Sequence, residues 1–365
     1  MRRKRNSSVR FLLHAVLAVF VFLLTIVANR HPVLTEQLYS QKIYYRIAQV
    51  LSTISSVFPF SLDDVFYILL IIILLLLVLF VAIRKLSFKM AAKSLVVCIA
   101  WIYILFYTLW GFNYYRQDLN DRLGLKEQAP SKKEFVHQLE KLIESTNRTF
   151  VTFDNFNKFE IDSLIENSYK ELASIIKIKY PAGNRKDKTI TFSQLFAMAG
   201  ISGYYGPFFN EVHVNSKVLP VEYPFVLAHE KAHQFGITSE AEANFYAWMV
   251  CTNSKSKQLQ YSANMHVLRY FLFQAYRIEE YPEVVSKIDE NVKMDFRRIR
   301  ENWSTLRNEK VDKVASKVND AYLKTNRVVK GIEDYKGVVK FIMDFSQDSI
   351  FKNRVSKVTV QFDPK

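Results

Sequence analysis

The stretch "YPFVLAHEKAHQFGITSEAEANFYAW", Tyr223 to Trp248, decides how the rest of the chain is read. Residues four apart on an α-helix share a face, so His229 and His233 can turn both imidazoles toward one ion. Glu230 lies one position along and is placed to reach a water held there. The apolar "FVLA" ahead of the pair suits a buried helix, and Gly236 is a natural helix stop. A second helix with acidic residues at its start follows in "TSEAEANFYAW".

The pattern is H-E-x-x-H, two zinc ligands and a general base. The second helix is expected to supply the third ligand. Glu240 and Glu242 are the candidates. Ser239 can cap this helix with Glu242 three residues on, an arrangement that leaves Glu240 for the metal. Asn244, one turn after Glu240, could orient a ligand from behind. One Zn2+ per chain is the expected cofactor. An oxyanion stabiliser is sought in His266, Tyr204, Tyr205 or Tyr261. His213, in "NEVHVN", reads as a strand residue.

Working outward, half of the 365 residues are hydrophobic, and the apolar residues gather in three N-terminal runs. These are Phe11 to Asn29, Val65 to Ile83 and Ser94 to Phe112. Each approaches the ~20 residues that cross a bilayer core. Arg2, Arg3, Lys4, Arg5 and Arg10 precede the first run. Arg84, Lys85, Lys89 and Lys93 separate the second from the third. Basic residues stay on the cytoplasmic side, so the N-terminus is expected in the cytoplasm and everything after Phe112 outside it. No small-residue cleavage site follows the first run, which is read as a span rather than a signal peptide.

The net charge of +15 points superficially to nucleic acid, but residues 1–112 hold 12 Lys+Arg against 3 Asp+Glu. The excess is mostly topogenic, and nucleic-acid binding is not expected. No span carries an acidic residue at mid-depth, which argues against an ion path. Cys98 falls in a span and Cys251 in the soluble part, so no disulfide is expected between them.

Between Arg30 and Asp64 the apolar spacing is roughly helical, as in Leu38, Tyr45, Ile47 and Leu51. Ser131 with Glu134 forms a capping box for a helix over 132–147. A second helix is expected over 154–179, a strand in "TITFSQ", and an edge strand in "NEVHVN" able to pair with an extended peptide. The remainder is helical until a closing strand, "RVSKVTVQF".

H-E-x-x-H followed by E-x-x-x-N resembles the gluzincin class of zinc metallopeptidases, although only six residues separate His233 from Glu240, a short gap for that class. The chain is also similar to a bacterial membrane family, Domain of Unknown Function 3810. The stretches that carry this are "GISGYYGPFFNEVHVN", "FVLAHEKAHQFGITSEAEANFYAWMVC", "LQYSANMHVLRYFL" and "AYLKTNRVVKGIEDYKGVVKFI". The resemblance implies a membrane-anchored α+β protein. Residues 1–112 would form a membrane domain, and 113–365 a mainly helical zincin-like domain with a small sheet. It supports His229, Glu230 and His233 with an acidic third ligand. The activity expected from the motif is peptide hydrolysis, on proteins or peptides outside the cytoplasm of a bacterial inner membrane. The competing expectation is a non-catalytic zinc-binding scaffold.

Overall fold

The computed structural model describes residues 2–361 except Gln128, Arg327 and Val329. The chain divides into two compact units. The first comprises Met1–Gln117, Pro181–Arg185 and Gly206–Glu211, and the second Asp118–Tyr180, Lys186–Tyr205 and Val212–Lys365. Among the described residues the chain is mainly helical with one three-stranded sheet.

The first unit contains α1 (Arg2–Arg30), the shorter α2 (Tyr44–Ser56), α3 (Leu62–Ala82) and α4 (Phe88–Leu109). Phe11–Arg30 of α1, all of α3 and all of α4 are long and apolar enough to cross a membrane. The third of these begins earlier than its apolar run, because Ser87 caps it by accepting from Met90 N–H. In helices of this kind every interior backbone group is satisfied within the segment, which is what a hydrocarbon environment demands. Exposed aliphatic side chains such as Ile71, Leu75 and Val78 cover α3.

The segment between α1 and α3 is helical, as its spacing predicts, but Thr35–Ile43 winds as a π-helix. π-turns usually occur singly. Here the wide turns are tied to the end of α4 and the residues after it. Tyr39 Oη donates to the Thr108 carbonyl at 3.0 Å, Ser40 Oγ to Asn113 Oδ1 at 2.8 Å, and Arg116 forks onto Glu36 with two 2.7 Å bonds.

The second unit is built on α5 (Lys132–Thr149), α6 (Lys158–Leu172), α8 (Tyr223–Gln234), α9 (Glu240–Thr252) and α10 (Lys257–Ala275). Its core includes Leu139, Ile165, Leu227, Phe245, Leu268 and Phe271, all fully buried. The Ser131–Glu134 capping box is present in both halves. The helix expected over 154–179 is the shorter α6, capped by Asn157.

The sheet contains β1 (Asp187–Thr189), β2 (Gly203–Gly206) and β3 (Glu211–Val214), in the order β1–β3–β2, with the short α7 (Ser193–Met198) between the first two. β1 runs parallel to β3, with Lys188 opposite His213. Two expectations are corrected here. The strand read in "TITFSQ" lies earlier, since the chain turns at Thr191 and enters α7. "NEVHVN" forms the central strand, not an edge, because β1 and β2 lie on either side of β3, and all four residues of β3 are buried. The edge beside it is β2.

Two charged helices, α11 (Glu290–Leu306) and α12 (Glu309–Thr325), lead into a 3-10 segment, Gly331–Gly337, and then α13 (Val338–Gln347). The chain closes in α14 (Ser349–Gln361), where a strand was expected. Phe351 and Val355 are buried one turn apart, so helical packing overrides the β-branched composition. Phe362, the last residue of the expected strand, lies outside the described residues. Cys98 and Cys251 are both free thiols.

Candidate metal centre

Helix α8 starts on Pro224 at its first turn and is buried along its whole length. His229 and His233 project from one face, and their Nε2 atoms lie 3.1 Å apart. Gly236, at φ +83°, reverses the chain after the helix, a conformation that favours glycine. The Ile237 N–H returns to the Ala232 carbonyl at 3.1 Å, which closes the turn. Ser239 then caps α9, its hydroxyl accepting the Glu242 N–H at 3.3 Å.

This tight reversal delivers Glu240, the first residue of α9, to the histidines. Its Oε2 lies 3.0 Å from His229 Nε2 and 3.4 Å from His233 Nε2. Among the described residues these three form the group able to hold a metal ion. A tetrahedral ion with bonds of about 2.0–2.1 Å keeps its ligand atoms about 3.3 Å apart. The three separations match that spacing, and two imidazoles with a carboxylate are a donor set that suits zinc. His233 Nδ1 lies 2.7 Å from the Ile237 carbonyl, to which its N–H donates. That bond fixes the tautomer and leaves the Nε2 lone pair facing the other two donors. Among the described residues the buried His229 Nδ1 has no hydrogen-bond partner.

Glu242 goes elsewhere. Its carboxylate pairs with the buried Arg122 guanidinium. The Asn244 amide donates to the Tyr335 carbonyl at 3.3 Å rather than orienting a histidine.

Glu230 is buried beside the cluster. Burial pushes its pKa up to about 7, with Glu240 adding and the two histidines opposing. For His233 burial pulls the pKa down, but the Glu240 carboxylate outweighs it and raises the group to about 9. Burial would raise Glu240, yet the two histidines hold it well below the usual carboxylate range. Strand β2 passes directly against Glu230. A Cβ on Gly203 would stand 2.8 Å from Glu230 Oε1 and 2.9 Å from the His213 carbonyl oxygen.

The tyrosine brought to the site is one that the sequence did not single out. The Tyr335 ring lies nearly parallel to that of His229, with centroids 6.4 Å apart. Burial, then the Glu240 and Glu230 carboxylates, keep its hydroxyl protonated well above the usual range. Among the earlier candidates, Tyr261 donates to Asp295 at 2.8 Å and Tyr204 stacks on His213 at 4.2 Å. Tyr205 packs on the core. His266 stacks on Phe225 at 3.8 Å, and burial holds it neutral, with Arg269 and His229 adding to the effect. His213 is the strand residue its setting suggested.

Lys231, between Glu230 and Ala232, points the opposite way. Its buried ammonium lies 2.8 Å from Asp162 Oδ1 and 2.5 Å from Glu166 Oε1, both on α6. The motif helix is thus held by charge on one face while its histidines occupy another. Tyr169 Oη adds a 2.7 Å bond to the Ala228 carbonyl.

The family described as "Protein of unknown function (DUF3810)" matches residues 39–343. No curated protein and no solved structure matches the chain.

Proposed function

The chain belongs to the DUF3810 family, whose function is unknown, and from the site itself we propose a membrane-anchored zinc metallopeptidase with a zincin-like catalytic domain. The observation that carries this reading is the convergence of His229 Nε2, His233 Nε2 and Glu240 Oε2 beside the buried Glu230 carboxyl. A structural zinc is normally closed by four protein ligands, whereas a hydrolytic one keeps a position open. Three donors favour the hydrolytic reading over a scaffold.

Bound zinc would supply Lewis acidity, lowering the pKa of a water toward ~7 and polarising a carbonyl. Glu230 is the general base. As the water oxygen bonds to the peptide carbon, the carboxylate takes the water's proton. It passes that proton to the nitrogen as the C–N bond breaks. Burial raises the Glu230 carboxyl above the usual carboxylate range, which favours taking up and then passing on a proton. The edge strand β2 runs beside Glu230, where an extended peptide can pair with its backbone. The basic residues around the spans favour a cytoplasmic N-terminus, which puts the catalytic unit outside a bacterial inner membrane with envelope proteins or peptides as substrates.

The test uses the full chain in detergent and a mixed peptide library analysed by mass spectrometry. Wild type should carry about one zinc and cleave. Glu230→Gln should keep the zinc and lose cleavage. A Glu230→Gln variant that cleaves like wild type refutes the mechanism.

A further inference from the structure

The candidate ligands sit close together in sequence, but the element that seats the third one does not. We propose that Asp334 is a positioning residue for Glu240, setting the first turn of α9 and through it the affinity of the site for zinc. This rests on the reading of His229, His233 and Glu240 as a metal centre.

Glu240 is the first residue of its helix, where backbone donors lack intrahelical partners and the chain frays most readily. A ligand there is only as well placed as that turn. Asp334 Oδ2 accepts from Ser239 Oγ at 2.7 Å and from the Ala241 N–H at 3.2 Å, so it grips the residues on either side of Glu240. Ser239 already caps the helix by accepting the Glu242 N–H. Its hydroxyl proton must then point away, and Asp334 fixes that direction. The carboxylate also lies at the positive end of the helix dipole.

Asp334 is itself held in place. One residue on, the Tyr335 carbonyl accepts the Asn244 amide, and the Tyr335 ring lies over His229. Gly337 packs so closely that a Cβ would stand 2.9 Å from Ala241 Cβ. At the other end the Ile332 N–H donates to Asp320 Oδ1 at 3.2 Å. The segment therefore meets α9 at its cap, its second residue and its second turn. Ordinary capping would need the first of these contacts alone.

The experiment needs no substrate. The full chain in detergent is stripped with chelator, and zinc affinity is measured by competition with a fluorescent chelator, with the Tm of the apoprotein as the control for folding. Outer partners of metal ligands typically contribute 10- to 100-fold in affinity. Asp334→Ala should weaken zinc binding at least about tenfold while the Tm of the apoprotein holds. Asp334→Asn keeps an acceptor and should lose less; it carries the test if the alanine variant fails to fold. Cobalt-substituted protein should show an altered visible spectrum in the variant. Unchanged zinc affinity in Asp334→Ala overturns the proposal, even if Tm falls. Wild type that binds no zinc overturns the metal centre as well, a separate outcome.

Discussion

Lys231→Met offers a stringent test of how the motif helix is held. Methionine keeps an unbranched stem of similar length and removes only the charge. The lysine side chain is 1% exposed, and its partners Asp162 and Glu166 are 12% and 15% exposed. Its loss leaves two carboxylates together in a mostly buried site. Asp162 already has a raised pKa, chiefly from burial, with Asp187 and Glu166 adding and Lys231 opposing. Removing one member of a buried ion pair typically costs about 3–5 kcal/mol. In a domain of 150–250 residues each kcal/mol moves Tm by about 2–4 °C, so a fall of roughly 6–20 °C is expected. Thermal unfolding of the full chain in detergent, followed by tryptophan fluorescence, measures it. A raised carboxyl pKa means that the folded state binds the proton more tightly, so the deficit should shrink as pH falls from 7 toward 5. Adding Asp162→Asn and Glu166→Gln to the variant should recover most of the loss, because a neutral buried cluster avoids the charge penalty. A fall under about 2 °C, or no recovery in the triple variant, would refute the claim that this charge cluster fixes the helix.

Three further predictions address the site. Glu240→Ala should abolish zinc in elemental analysis, whereas Glu242→Gln should keep about one per chain and lower Tm by disturbing Arg122; the opposite pattern exchanges their roles. Gly203→Ala forces a Cβ to within 3 Å of Glu230 and of the His213 backbone, so peptide cleavage should fall about 10- to 100-fold with zinc retained; unchanged cleavage would show that Glu230 tolerates displacement. Zinc uptake at pH 7.5 should release at least about one proton, because the His233 pKa of about 9 must be overcome to free its lone pair and any zinc-bound water would add to the release. In the apoprotein the stability from His233 should be complete below about pH 6.5 and lost as pH rises through about 9. Calorimetry in buffers of different ionisation enthalpy reads the proton release, and an enthalpy independent of buffer would contradict it.

What the sequence disclosed was local. The apolar runs, the Ser131–Glu134 box, the histidine pair, the Gly236 stop and the Ser239 cap all involve residues within a few turns of one another. Glu240 could be preferred over Glu242 because the capping pattern used up the latter's position, although Glu242 in fact serves Arg122. Lys231 drew no reading from the sequence, because its partner Glu166 is 65 residues away. Tyr335 and Asp334 were unreadable for the same reason. Strand order failed differently. Alternation in "NEVHVN" describes a pleat but not the neighbours of the strand, and those are set by pairing with residues distant in sequence, such as Lys188 opposite His213. The C-terminal helix was missed because Val355 and its β-branched neighbours favour strand until Phe351 is seen packing one turn before it.

The spacing of the site along the chain sets a timetable for synthesis. His229 and Glu240 are 11 residues apart, while Ser239 and Asp334 are 95 apart. A nascent chain therefore exposes all three ligands several seconds before the aspartate leaves the ribosome, at about 5–20 residues per second. During that interval the donors are present but the turn carrying Glu240 is unsecured. On the proposed reading, full affinity for zinc comes only once the segment around Asp334 has been made.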